Sequence, residues 1–334
     1  MTPKLHSVDE IYQTTYFKEK TILITGASGL LGSNLLRYFN NMDKTYLGPE
    51  RVFALSKSGT YNPFTVSHDL VKYLTGNLLD PLFLEQLPEV DIIIHCAGYA
   101  QPSLFLANPL ESISLNTSVL VQLFSKLKKN GIIANLSSSE VYSGNQDFPQ
   151  DENQIGSTTP SHPRAAYIES KRCGEAIVNA FRQMNEEKAM SLRLSLAYGP
   201  GTKKGDKRVL SQFISQALSE KRIVLRDQGT AIRTYLYIDD AIEQMIGAIL
   251  WGDETVYNIA GTQQVSILEL AQTIATITNS AIVLPEESKL NPLSAPDMVW
   301  CDSQKINSLI GKNKFIPIVD GLENTIRWTA KNLL

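Results

Sequence analysis

Residues Thr21 to Gly32 read TILITGASGLLG, an apolar β-type run that ends in Gly26-x-x-Gly29-x-x-Gly32. An amphipathic stretch, Ser33 to Phe39, follows at once. Strand, tight glycine turn and helix start in this order let backbone pass close to a pyrophosphate. The N-terminus of the following helix adds free N–H groups and the positive end of its dipole. The pattern predicts a dinucleotide-binding unit in which Gly26, Ser28, Gly29, Leu30, Leu31 and Gly32 surround the cofactor phosphates.

The chain has 334 residues and a formal net charge of −3 at pH 7. That length supplies a sizeable core and suits one large or two smaller domains. No basic stripe is interleaved with aromatic residues, so nucleic acid and anionic membranes are poor candidate partners. Lys203-Lys204 and Lys207-Arg208 read as a solvated loop or as a contact to an anionic ligand. Cys96, Cys173 and Cys301 are far apart and have no metal-type spacing, so reduced thiols and no metal site are expected. The N-terminus has acidic residues and no apolar core of a signal peptide, and no run approaches membrane-spanning length. A soluble cytoplasmic protein is the expectation.

Ser7, with Glu10 three residues later, has the pattern of a capping box and predicts a helix over 8–17. Strand candidates then follow at Thr21–Thr25, Val52–Leu55, Tyr73–Gly76, Asp91–Cys96, Gly131–Leu136 and Ala189–Leu194. Helical patterns lie between them, including Asn116 to Lys129, whose basic end suits a helix C-terminus. This alternation implies an α/β fold with a Rossmann-type, doubly wound parallel sheet. Ligands then sit at the carboxyl ends of the strands, where the glycine turn and the Leu136–Tyr142 segment fall. After Pro200 the elements shorten and Pro-rich joints appear at Asn291-Pro292 and Ala295-Pro296-Asp297. The expected division is an N-terminal extension over 1–19, a dinucleotide-binding domain over 20–195 and a smaller C-terminal α/β substrate-binding region over 196–334. Strands of that last region can rejoin the first sheet.

Tyr167-Ile-Glu-Ser-Lys171 is a Tyr-x-x-x-Lys pair, and on a helix both side chains share one face. A nearby ammonium favours the phenolate, so Lys171 is expected to lower the Tyr167 pKa towards that of a general base. A serine of Leu136-Ser-Ser-Ser-Glu-Val-Tyr142, at the end of the preceding strand, can bond a substrate hydroxyl and share its proton with Tyr167.

Together with Asp91-Ile-Ile-Ile-His95-Cys-Ala97, Asn116-Thr117, Tyr198-Gly199-Pro200 and Arg233-Thr-Tyr-Leu-Tyr-Ile-Asp239-Asp240, these motifs are similar to those of a known family. From about residue 20 onward the chain resembles the extended short-chain dehydrogenase/reductases, in particular their nucleotide-sugar epimerases, dehydratases and decarboxylases. The resemblance implies that Ser138, Tyr167 and Lys171 form the redox machinery, with Asn116 organising it. It implies a tightly bound, recycled NAD or NADP that also meets Asn77, Leu78 and Ala97. The substrate implied is a nucleotide-activated sugar, with Arg208 and Arg233 on its diphosphate. A homodimer is implied through helices such as Asn116–Lys129 and Tyr167–Arg182.

The first step implied for this group is oxidation of the sugar C4 hydroxyl. A carboxylate base over C5 then allows loss of water from C6. A carboxylate carried on C5 allows loss of carbon dioxide, and with neither the sugar is epimerised. Glu140, two residues after Ser138, resembles the residue of dehydratases and UDP-glucuronate decarboxylases that acts at C5. Ser139 stands in a substrate-binding position where glucose-type 4,6-dehydratases usually carry Asp. The stretches His162 to Arg172 and Gly205 to Phe213 look most like the decarboxylases. A 4-epimerase, a net NADPH-consuming sugar ketoreductase and a non-catalytic dinucleotide sensor are the alternatives.

The chain departs from the family pattern at several positions, among them Asn77, which stands where an Asp usually meets the adenine amine and whose amide oxygen can still accept that bond. Ser56 and Lys57 replace the acidic residue that bonds the adenosine ribose, so NADP is expected to bind at least as well as NAD. Leu196 replaces an Asn before Tyr198-Gly199-Pro200, and no basic residue occurs among Leu293, Ser294 and Ala295.

Overall fold

The apolar runs of the N-terminal half divide their residues between two buried layers. Ile22 and Ile24 enter one cluster with Ile92, Ile94, Ile132 and Ala134, while Leu23, Ile93 and Ile133 enter a second cluster on the opposite face. Strands buried on both faces read as continuous apolar runs, which is why TILIT and DIII lack polar alternation. The computed structural model describes residues 6–43, 47–59, 69–185, 187–286 and 296–333.

Six strands come first: β1 (Thr21–Thr25), β2 (Arg51–Ser56), β3 (Val71–Thr75), β4 (Val90–His95), β5 (Leu127–Ser138) and β6 (Lys188–Leu194). Seven more follow: β7 (Leu196–Tyr198), β8 (Arg222–Val224), β9 (Ile232–Tyr237), β10 (Val256–Ile259), β11 (Gln264–Ser266), β12 (Ala281–Val283) and β13 (Met298–Val299). The central sheet has the order β10-β6-β5-β4-β1-β2-β3, and every pairing in it is parallel. This is the Rossmann-type α/β architecture, with its switch point between β1 and β4. Helices Leu30–Asp43 and Ile238–Trp251 cover one face, and Pro109–Asn116, Ser118–Phe124 and Ala165–Asn185 cover the other. A second sheet, β11-β9-β13 with β7 on β9, starts where Ser195 leaves the first. Ser195 bonds both sheets, through its N–H to Ile259 O (2.9 Å) and its Oγ to Thr234 O (3.0 Å). The Asn291-Pro292 joint and residues Leu293, Ser294 and Ala295 lie outside the described residues.

Two expected helices differ. The first spans only Val8–Gln13, and Ser7 makes no side-chain cap bond; the Glu10 carboxylate turns to His6 Nδ1 instead, at 3.5 Å. The stretch from Asn116 to Lys129 is not one helix. Thr117 breaks it with φ −124° and ψ −84°, Ser118–Phe124 forms a second helix, and Lys128 and Lys129 already belong to β5. Lys128 is taken up by a long-range partner, pairing with Asp91 at 3.1 Å. No helix among the described residues is long and apolar enough to cross a membrane.

A buried hydrogen-bond chain crosses the switch point. The Ala97 N–H donates to Thr25 Oγ (3.1 Å), which donates to His95 Nδ1 (2.8 Å), and His95 Nε2–H donates to Leu115 O (3.0 Å). Burial lowers the His95 pKa from 6.5 to about 4, with the nearby Lys171 charge adding to the effect. Between these values the unfolded chain binds a proton that the native chain does not, so stability is lost as pH falls through that window. The loss is on the order of 3 kcal/mol at most. A His95→Asn variant should show a flatter fall in urea midpoint from pH 6.5 to 4 than the parent; an equal slope in both would contradict this.

Candidate active site at the carboxyl ends of the strands

The glycine turn leaves β1 at the sheet's switch point. Gly26 has φ +67°, and a Cβ there would sit 2.8 Å from Ala97 N and Cys96 O. A Cβ on Gly32 would press on Gly26 O at 2.5 Å, so this glycine lets helix Leu30–Asp43 pack on the turn. Gly29 differs, since a Cβ there would meet only Gly26 O, at 3.2 Å, and otherwise open space. Open space over a bare glycine, beside the first N–H groups of a helix opened by Leu30 and Leu31, fits a pyrophosphate.

Ser56, at the end of β2, is 1% exposed and donates from Oγ to Ser28 Oγ at 3.1 Å. Lys57 does not join them; its ammonium lies 3.5 Å from Glu111, and the side chain is 61% exposed. Ser28 Oγ instead receives Lys203 Nζ at 3.0 Å, so the expected solvated lysine pair sends one member to the glycine turn. Asn77 Oδ1 takes the Leu79 N–H at 3.2 Å, and Leu78 is buried in the second core cluster.

Tyr167 and Lys171 lie one turn apart on helix Ala165–Asn185, and both are buried. Lys171 Nζ donates to Leu136 O at 2.6 Å and lies 5.8 Å from the Tyr167 ring centroid. Ser138 hydrogen-bonds the Tyr167 hydroxyl. Burial pushes Tyr167 up to about 12, and the Ser138 bond only partly opposes this. The lowering expected from Lys171 is therefore overridden by desolvation, which also brings Lys171 itself down to about 8. Asn116 donates from Nδ2 to Ser112 O and Ser170 Oγ, each at 2.9 Å, while its buried Oδ1 has no hydrogen-bond partner. Phe105 stacks on Tyr167 with centroids 4.4 Å apart.

Glu140 stands on the 3-10 turn Ser139–Tyr142, which starts when Ser138 Oγ accepts the Glu140 N–H at 3.2 Å. Its carboxylate is ion-paired with Arg164, yet Glu140 Oε2 and Arg164 Nε are both buried without partners. Burial pushes the Glu140 carboxyl up, and Arg164 and Arg233 pull it back. Arg233 is buried and donates to Ile232 O (2.7 Å) and Asp297 O (3.2 Å). Arg208 is engaged within its own loop, bonded to both Asp206 oxygens at 2.7 to 3.1 Å. Behind the turn, Arg193 joins Glu175 (2.8 Å) to Tyr142 (2.8 Å), and Ser137 donates to Glu175 (2.5 Å). These bonds lock the end of β5 to the helix that carries Tyr167.

The structure thus brings Ser138, Glu140, Tyr167, Lys171 and Arg233 together, and adds Arg164 and Phe105, which the motifs did not single out. Arg164 stands three residues before Tyr167 in HPRAAY, a spacing that signals a shared face. Lys203 belongs to the basic cluster read as a solvated loop or an anion contact, and nothing local in the sequence links it to Ser28. Removing Arg164 strands a buried carboxylate, so Arg164→Met should cost about 3 kcal/mol in a denaturation experiment. The double variant with Glu140→Gln should recover part of that loss, and strict additivity would contradict the pairing.

The model of the NAD dependent epimerase/dehydratase family matches residues 22–260. UDP-glucuronic acid decarboxylase 1 of Danio rerio is 28% identical over 322 residues, covering 94% of this chain and 73% of that protein. UDP-glucuronic acid decarboxylase 6 of Arabidopsis thaliana is 29% identical, with coverage of 90% and 86%. An epimerase from Methanothermobacter thermautotrophicus shares the fold with a TM-score of 0.83 at 20% identity, covering 97% of this chain and 95% of its own. A UDP-glucuronic acid 4-epimerase from Bacillus cereus, solved with UDP-glucuronic acid and NAD, superposes with a TM-score of 0.76 at 20% identity, covering 93% and 99%. With its glycine turn, Tyr–Lys pair and seven-stranded sheet in place, the chain belongs to the NAD dependent epimerase/dehydratase family of enzymes.

Proposed function

We propose that the protein oxidises C4 of a nucleotide-linked uronic acid, releases carbon dioxide from C5 and reduces C4 again. The observation that carries this reading is the Glu140 carboxyl, buried beside Arg164 and Arg233 within the turn that presents Ser138 to Tyr167. Two guanidinium groups around one site suit a substrate that brings a carboxylate as well as a diphosphate. The Danio rerio and Arabidopsis thaliana relatives, both named as UDP-glucuronic acid decarboxylases, support the same choice.

The glycine turn Gly26–Gly32 would hold NAD or NADP, which would supply reversible hydride chemistry at C4. Ser138 Oγ and the Tyr167 hydroxyl hold the C4 hydroxyl, and Tyr167 takes its proton. Lys171, fixed on Leu136 O, supplies the positive charge that favours the phenolate. Asn116 holds the backbone of its own helix and Ser170, next to Lys171. Loss of carbon dioxide leaves its electron pair on C5, where Glu140 delivers a proton; a carboxyl raised by burial holds that proton more readily than an exposed one. Ser139, Arg208 and Arg233 complete the substrate side in this proposal. We also infer a homodimer through helices Pro109–Asn116 and Ala165–Asn185, which leave Leu110 and Met184 at 76% and 81% exposure.

Mass spectrometry of a nucleotide-sugar pool containing UDP-glucuronate, incubated with the protein and both dinucleotides, tests the reaction. Loss of carbon dioxide from the uronate supports the proposal, whereas a product of unchanged mass makes the enzyme an epimerase and Glu140 a structural carboxylate. Tyr167→Phe should lower kcat by at least about 100-fold. The Lys171 ammonium persists below about pH 8 and is lost above it, so kcat should fall as pH rises through that value. Lys171→Arg should move that limb upward.

A further inference from the structure

The end of β2 carries no acid to bond an adenosine ribose, and the residues gathered there have a consistent chemistry. Ser56 Oγ donates to Ser28 Oγ (3.1 Å) and lies 3.5 Å from Ser58 Oγ. Ser28 Oγ also meets Lys203 Nζ at 3.0 Å, although Lys203 lies 175 residues further along the chain. The lysine is not there by the accident of a free loop. Asn34, 1% exposed on the helix after the glycine turn, donates to both Leu30 O (2.8 Å) and Pro200 O (2.9 Å). Thr202 Oγ then closes the loop on Gly199 O at 2.9 Å. One buried side chain therefore fixes the Pro200–Lys203 segment against the glycine turn, and its exposed lysine reaches Ser28 from the solvent side.

Hydroxyl donors beside an ammonium are matched to a dianionic phosphate and offer nothing that repels one. An acid in the Ser56 position would do the reverse. Lys57 is the residue that sequence position suggests for such a phosphate, but its ammonium is drawn to Glu111. We propose that Ser28, Ser56 and Lys203 form the seat of the 2′-phosphate of NADP, with Lys203 as its principal cation. This assignment rests on the reading of the glycine turn as a dinucleotide site and deepens it by naming the form taken.

Titration of the full chain with NADPH and with NADH, followed by calorimetry or protein fluorescence, tests the seat without reference to turnover. The parent should bind NADPH at least as tightly as NADH. Lys203→Ala should weaken NADPH by about tenfold or more and change NADH by less than about twofold. Ser56→Asp should also weaken NADPH selectively, because it sets a carboxylate against the phosphate. Retained NADH affinity in each variant shows that the fold is intact. Equal weakening of both dinucleotides by Lys203→Ala would overturn the assignment, because the lysine would then serve the shared pyrophosphate. A larger selective loss from Lys57→Ala, or strong NADH preference in the parent, would overturn it too. Failure of the parent to bind either dinucleotide would instead bring down the dinucleotide reading itself.

Discussion

The site depends on one neutral imidazole. His95 closes β4 opposite Thr25 of β1, and its two ring nitrogens tie that junction to Leu115, the residue before Asn116. The Leu115 carbonyl can only accept, so Nε2 carries the proton and Nδ1 is left to accept from Thr25. Thr25 in turn holds the Ala97 N–H, and the Cys96–Ala97 backbone is the surface against which Gly26 closes without a Cβ. Glycine turn, β4 turn and the helix bearing Asn116 are thus held by a single run of hydrogen bonds. A charged imidazole would carry a proton at Nδ1 and so remove the acceptor of the Thr25 hydroxyl. Burial keeps the ring neutral and the run intact.

Desolvation sets the chemistry one layer further out. It raises Tyr167 and Glu140 and lowers Lys171, so each of the three groups is driven towards its uncharged form. Local contacts oppose it: the Ser138 bond on Tyr167, and the guanidinium groups of Arg164 and Arg233 on Glu140. The Arg193–Glu175–Ser137 bonds behind these groups use no reacting atom and hold the spacing between the serine turn and the tyrosine helix.

Features set by short-range chemistry were legible in the sequence. TILIT and the glycine triad gave β1 and the turn to the residue, because strand burial and glycine sterics are local demands. Tyr167 and Lys171 followed from helical spacing. Features set by partners distant in the chain were not. Lys128 and Lys129 looked like a helix end, but Asp91, on β4, claims Lys128 for the sheet. Ser7 and Glu10 have the capping-box spacing without the bonds, whereas Ser266 and Glu269 make both of them at the helix Ile267–Thr278. Lysine 57 had the right position and the wrong partner, and only the fold shows that Lys203 crosses to Ser28. The pKa of Tyr167 is hidden from the sequence for a related reason: a neighbouring ammonium is visible in a motif, and the depth of burial is not.

The proposed reaction oxidises C4 and then reduces it again on the same molecule. Turnover of UDP-glucuronate carrying deuterium at C4 tests it most directly. The account predicts a product that has lost carbon dioxide and kept its deuterium, with no net change in the redox state of the dinucleotide. Loss of the label, or net consumption of the dinucleotide in step with product, would contradict it.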